Sequence, residues 1–427
     1  MQIPSLTKSQ FNWFLATAFA VLIALFANYS LGQRQATVFS SITNLDLPVA
    51  QGSHEPSLFP MTDGRILMSW TEPIGNSFAV KTAIGDNSGW TQPQIAVQSS
   101  NLYVNWADFP SVAAFPDGTL AVHWLMKNGS SSYDYDLNVA LSSNNGRSWG
   151  DVVIPHRDGT RNQHGFATLL PVQDRLLAIW LDGRAYKPDA TGKAEDDFTN
   201  AMQLRATTIG SDGSLSNDTL LDARTCTCCQ TSAAVTDDGI ILVAYRDRTA
   251  GEIRDISLIR QVDGVWSKPK TIHADGWEIS GCPVNGPAID TEGDHVVVAW
   301  YTAANDIPVV NVAFSKNAGE NFGQAIRIDK SKTAGRVDVL QLGDGSALVS
   351  WVEWTSTGEA LLVCRARPES GCSEPQVITL NDAAGGMNFP RMVLVSDSIY
   401  IAWTQPVDGK STNSKLDVTI KMVFAKL

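Results

Sequence analysis

RILMSW (Arg65–Trp70), TLAVHW (Thr119–Trp124), RLLAIW (Arg175–Trp180), IILVAY (Ile240–Tyr245), HVVVAW (His295–Trp300), SALVSW (Ser346–Trp351) and SIYIAW (Ser398–Trp403) repeat one phrase, an apolar run closed by an aromatic. The closing aromatics are 54, 56, 65, 55, 51 and 52 residues apart. Polar turns such as Asp63-Gly64, Asp238-Gly239 and Gly343-Asp344-Gly345 precede the runs, and another short apolar stretch precedes each turn. A repeat of roughly 40–50 residues that holds four strands is a propeller blade. The phrase predicts an all-β, seven-bladed β-propeller. Six blades is the alternative, if the first or last unit is an imperfect extension.

Working outward, third strands are legible in SFAVKTAIG (Ser77–Gly85), LNVALSS (Leu137–Ser143), ISLIRQV (Ile256–Val262), VVNVAFS (Val309–Ser315) and ALLVCRA (Ala360–Ala366). Strands alternate with turns, and no helical period follows the first 32 residues. The seventh unit has only three strands before Leu427, while a β-like stretch, Thr37–Asn44, stands unassigned near the start. Paired with the last blade, it would close the ring and leave no open edge.

The first residues differ in kind. Trp13–Ala27 is an unbroken apolar run, preceded by Lys8 and followed by Ser30-Leu31-Gly32. This predicts an export signal over residues 1–32 and a single propeller domain over 33–427. The alternative is an uncleaved anchor, for which the run is short against the ~20 residues of a span. With 44% hydrophobic residues the chain can bury a large core, and its net charge of −12 argues against nucleic acid or an anionic membrane surface as a partner. An exported chain meets an oxidising compartment, which bears on its six cysteines.

In a propeller, the segment leading into each inner strand and the segment leaving each second strand meet at one face around the axis. The leading segments offer His54, Glu55, Trp106, Asp108, His164, Cys226–Gln230, Cys282–Asn285, Arg336, Asn388 and Arg391. The leaving segments offer Glu72, Lys127, Asp182, Arg184, Arg246, Arg248, Tyr301 and Glu353. From these, His54, Glu55, Asp108, His164, Arg184 and Arg248 are candidate contacts for a small ligand or glycan at the axial face.

Arg224-Thr-Cys-Thr-Cys-Cys-Gln230 leads into blade 4, and Cys282 stands at the matching point of blade 5. Cys226, Cys228, Cys229 and Cys282 therefore converge on one sector. Thiolates at that density suit a soft metal, Cu or Zn. The alternative is disulfide bonding, in which Cys229 or Cys228 could pair with Cys282, with three connectivities open to four cysteines. Glu252, Arg254 and Asp255, just before the third strand of blade 4, would brace this segment or complete a ligand site. Cys364 and Cys372 flank one turn and predict a local disulfide.

Two third strands run into a distinctive turn, Ser142–Trp149 (SSNNGRSW) and Ser315–Phe322 (SKNAGENF). Both resemble the Asp-box, S-x-D-x-G-x-[ST]-W, of sialidases and other BNR-repeat proteins, with Asn144 and Asn317 where the box has Asp. The resemblance implies a sialidase-like propeller. Its glycosidase chemistry would take an arginine cluster (Arg246, Arg336, Arg391), a Tyr301–Glu353 nucleophile pair and Asp182 as the acid. Two departures stand against that activity. Sialidase propellers have six blades, and their first arginine, in an R-I-P motif, is replaced here by Ser53-His54-Glu55-Pro56. A non-catalytic platform for a glycan or a protein is the third reading.

Overall fold

The computed structural model describes residues 37–188, 194–195, 201–382, 386–407 and 417–427. The expected signal segment lies outside the described residues. Seven antiparallel sheets, joined in chain order, form the blades. Their inner strands are His54–Pro60, Val112–Ala114, His164–Val172, Ser232–Val235, Ala288–Glu292, Thr333–Gln341 and Arg391–Val395. The fold is a seven-bladed β-propeller, as the repeat predicts. Among the described residues the only helical turn is Ala304–Asp306. No helix there is long and apolar enough to cross a membrane.

The ring closes as expected. Ser41–Asn44 pairs antiparallel with Val418–Lys426, so the N-terminal strand becomes the outer strand of blade 7. Two-sided burial explains why the second strands read as unbroken apolar runs. Ile66, Met68 and Trp70 face blade 7, while Leu67, between them, faces blade 2. Seven apolar clusters of this kind fill the seven gaps between neighbouring blades, including the gap between blades 7 and 1.

The two Asp-box-like turns are built alike. Asn144 Oδ1 accepts from Ser142 Oγ at 2.9 Å and from the Ser148 amide at 3.0 Å. Asn317 Oδ1 accepts from Ser315 Oγ at 2.8 Å and from the Asn321 amide at 3.1 Å. An amide oxygen thus does the accepting that the box assigns to Asp. Gly146 and Gly319 take φ of +74° and +72°, and their amides donate back to Ser142 and Ser315. Trp149 and Phe322 pack against the apolar clusters beneath.

Candidate functional site

The inner strands of blades 1, 3 and 6 carry bulges where they begin, between His54 and Ser57, Gly165 and Thr168, and Thr333 and Asp338. At these bulges Glu55, Phe166 and Arg336 take φ of +57°, +51° and +56°. Strained non-glycine backbone recurring at one face of the ring is the kind of feature that re-aims side chains at a functional site.

Trp106, 43% exposed, reaches across that face from blade 2. It stacks on Phe389 of the blade 7 segment at 5.8 Å, and the Arg336 guanidinium of blade 6 lies 5.5 Å from its ring. The leading segments therefore converge as the sequence predicts. A narrow axial channel of about 210 Å³ runs below, where Arg391 pairs with Asp338 at 3.9 Å and covers the Phe109 ring at 4.7 Å.

The larger cavity lies off the axis, over blades 2 to 5, with a volume of about 720 Å³. Six aromatics wall it: Tyr103, Trp106, Tyr133, Tyr135, Phe166 and Tyr186. Asn105, Asn162 and Gln163 supply amides, Asp134 the one acid, and the wall has no Lys, Arg or His among the described residues. Tyr103 stacks on Tyr135 at 4.1 Å, which fixes both rings. Tyr135 donates its hydroxyl to Asp108 Oδ2 at 3.3 Å, and the Phe166 amide donates to Asp108 Oδ1 at 2.8 Å. Burial dominates at Asp108 and pushes its carboxyl up to about 7. Asp108 thus holds the cavity floor from beneath.

The sequence candidates divide between wall and scaffold. Cys228 and Cys282 line the cavity, whereas His54, Glu55, Asp108, His164, Arg184 and Arg248 do not. His54 Nδ1 meets the Gly52 carbonyl at 2.8 Å, and Glu55 accepts from Asn388 at 2.5 Å. Arg248 pairs with Glu252 at 2.7 Å, and Glu252 also holds Arg254 at 2.8 Å. Arg254 Nη1 in turn lies 3.5 Å from Cys226 Sγ, which sets these charges against the cysteine segment. His164, fully buried, stacks on His156 at 3.6 Å and lies 3.2 Å from Asp158 and 3.7 Å from Asp182. Burial pushes the His164 pKa down, but these carboxylates outweigh it and raise it. Arg184 closes the cluster by pairing with Asp182 at 2.7 Å and Asp218 at 2.8 Å.

The residues proposed for glycosidase chemistry fall into separate networks. Arg246 is buried and donates to the main-chain carbonyls of Asn285, Arg254 and Tyr301 at 2.6–2.9 Å. Arg246 and Tyr301 therefore meet, but through the Tyr301 carbonyl rather than its hydroxyl. Glu353 accepts from Trp351 at 2.9 Å and from Ser331. Asp182 accepts from Trp180 at 2.7 Å, and Arg336 donates to Glu359 at 3.0 Å and to the Met387 carbonyl.

The four cysteines of the candidate metal set divide into two pairs. Cys228 and Cys282 are joined in a disulfide, their Cα atoms 5.9 Å apart. Only Cys226 and Cys229 remain as free thiols, both buried, with Sγ atoms 3.2 Å apart. A sulfur in a disulfide has no thiolate to give a metal, so with this bond in place the four do not act as one thiolate set, although the sulfurs of Cys226, Cys228 and Cys229 lie within 4.8 Å of one another. Cys364 and Cys372 form the second disulfide.

Sequence reading missed most of the cavity wall. Tyr133 and Tyr135 lie in SSYDYD (Ser131–Asp136), Tyr133 in the turn after the second strand of blade 2 and Tyr135 at the start of its third. Two tyrosines flanking an acid where a turn enters a strand at the mouth are the signal that was available. Asn162, Gln163, His156 and Asp158 come from the segment between the third strand of blade 2 and the inner strand of blade 3, Gln163 standing directly before His164.

No family model matches the chain, and no curated protein matches it in sequence. Among solved structures it is similar to a protein of unknown function from Dyadobacter fermentans, at 13% identity and a TM-score of 0.50 over 91% of this chain and 99% of that one. It is also similar to the polysaccharide lyase Uly1, at 10% identity and a TM-score of 0.51 over 92% and 94% of the two chains. The NanB sialidase of Streptococcus pneumoniae aligns at 14% identity and a TM-score of 0.44, over 92% of this chain and 71% of that one. At these identities the likeness shows the fold alone.

Proposed function

We propose that this is an exported propeller that binds an uncharged saccharide chain in the off-axis cavity. The observation that carries the reading is the composition of the wall: six aromatic rings and three amides, with no cationic side chain among the described residues. Sugar rings present apolar C–H faces that settle on aromatic rings, and hydroxyls that pair with amides and phenols. An acidic glycan would need a cationic clamp, and the nearby arginines are engaged by carbonyls and carboxylates instead. The stacking of Tyr103 on Tyr135, and the anchoring of Tyr135 by Asp108, would pre-order the wall and lower the cost of binding. Two disulfides suit the oxidising compartment an exported protein meets.

The test is a glycan array of neutral and acidic oligosaccharides, followed by calorimetry on the hits. Binding of neutral chains in preference to sialosides supports the reading. Binding of sialosides alone, or turnover of them, would overturn it in favour of sialidase-like chemistry at Tyr301 and Glu353.

A further inference from the structure

The cysteines leading into blade 4 form two pairs at different depths. The Cys228–Cys282 disulfide lies in the cavity wall, with Cys282 exposed and Cys228 half-buried. Directly beneath, Cys226 and Cys229 are buried thiols in C-x-x-C spacing. Cys226 Sγ is 3.2 Å from Cys229 Sγ and 4.0 Å from Cys228 Sγ. One thiol therefore touches both a second thiol and one sulfur of a disulfide, which is the placement a thiol–disulfide exchange requires.

We propose that this sector carries out internal thiol–disulfide exchange, in which the buried Cys226/Cys229 dithiol reduces the Cys228–Cys282 disulfide and places two thiols on the cavity wall. In the first step Cys226 Sγ, as thiolate, attacks Cys228 Sγ. The Cys226–Cys228 bond forms, the Cys228–Cys282 bond breaks, and Cys282 leaves as thiolate. Thr227 Oγ1, 3.7 Å from Cys282 Sγ, can donate to the departing sulfur. In the second step Cys229 attacks Cys226 Sγ and releases Cys228. The proton Cys229 gives up goes to one of the two released sulfurs. Two electrons pass from the buried pair to the exposed pair, and no outside oxidant or reductant is consumed.

The surroundings favour Cys226 as the attacking sulfur. Arg254 Nη1 lies 3.5 Å from it, and Arg254 is itself fixed by Glu252. Burial alone would raise the Cys226 thiol, but the hydrogen bond from Cys229 and the positive fields of Arg246 and Arg254 prevail and hold it below the ordinary thiol range. Cys229, by contrast, is pushed up by burial and by its neighbour, as suits the resolving partner.

The experiment brings the full chain to two thiols in this sector from opposite directions. One sample is fully oxidised protein given one equivalent of dithiothreitol. The other carries all four sector cysteines as thiols and receives one equivalent of diamide. Both are trapped with N-ethylmaleimide at intervals and mapped by mass spectrometry. Exchange predicts that the two samples converge on one labelling pattern that includes Cys282. Two different patterns that do not move towards each other overturn the proposal. Cys226→Ser should leave Cys282 protected, whereas Cys229→Ser should leave it labelled, held open by a Cys226–Cys228 bond. Equal labelling of Cys282 in both variants would also overturn it.

Discussion

The indole N–H of Trp351 meets the carboxylate of Glu353, two residues further along the same strand, at 2.9 Å. The same link joins Trp70 to Glu72 at 3.0 Å, Trp180 to Asp182 at 2.7 Å and Trp403 to Gln405 at 2.8 Å. Residues two apart in a strand share a face, so these four closing aromatics reach an acceptor where the strand leaves the core, while Trp300 uses Asp275 instead. A buried indole N–H needs such a partner. Polar residues that read as candidate site groups thus also serve the blades.

The link predicts a stability ranking. Asp182→Ala strips the acceptor from Trp180 and a carboxylate from Arg184, beside the buried His164. Breaking a buried ionic network of this kind costs on the order of 3 kcal/mol. Gln405→Ala removes one neutral hydrogen bond and should cost about 1 kcal/mol. Urea denaturation of both variants checks the order, and equal midpoints would show that the link carries no weight.

At the cavity, Trp106→Ala should weaken saccharide binding by roughly 10-fold or more, since one well-placed aromatic is worth about 1.5–3 kcal/mol of apolar contact. Trp106 is 43% exposed, so the folded state should lose little. Calorimetry with a neutral hit, beside a melting curve, separates the two effects. Unchanged affinity would remove Trp106 from the site.

The repeat made blade number, strand order and ring closure legible because each blade must bury the same apolar phrase on both faces. The convergence of leading segments followed from that topology, as Trp106 meeting Phe389 and Arg336 shows. The cavity wall was less legible. Asn162 and Gln163 stand just before His164 in the segment leading into blade 3, but amides in a loop carry no signal that marks them apart from ordinary turn residues. The sequence brought Cys282 to Cys228 or Cys229 but left the choice open, since the two are adjacent in the chain. Only the backbone path decides which sulfur faces blade 5.

Asp108 predicts a pH effect. Burial raises its folded pKa to about 7, above the unfolded value near 3.9. The folded state then holds a proton that the unfolded state has released between about pH 4 and 7. Stability therefore falls as pH rises through that window and levels off above it. Asp108→Asn keeps a neutral group that can accept from the Phe166 amide, so this part of the loss should vanish. The gap between wild type and variant should shift by on the order of 2–4 kcal/mol between pH 4 and 8. Parallel urea titrations at both pH values measure it, and parallel wild-type and variant profiles would mean that Asp108 titrates normally.

The two disulfides should differ in worth. Cys364 and Cys372 are 8 residues apart in sequence, whereas Cys228 and Cys282 are 54 apart. Loop-closure entropy in the unfolded chain gives about 2.5 kcal/mol for the shorter loop and about 4 kcal/mol for the longer. Replacing each pair by alanine should lower the denaturation midpoint more for Cys228/Cys282 than for Cys364/Cys372. The comparison is sharpened by burial acting the other way. Cys364 is fully buried in the contact between blades 5 and 6, so its alanine also loses packing, whereas Cys282 is exposed and loses little. If the order reverses, packing around Cys364 outweighs loop entropy. The Cys228–Cys282 bond would then contribute little to holding blades 4 and 5 together, which would leave it free to open and re-form during exchange with Cys226.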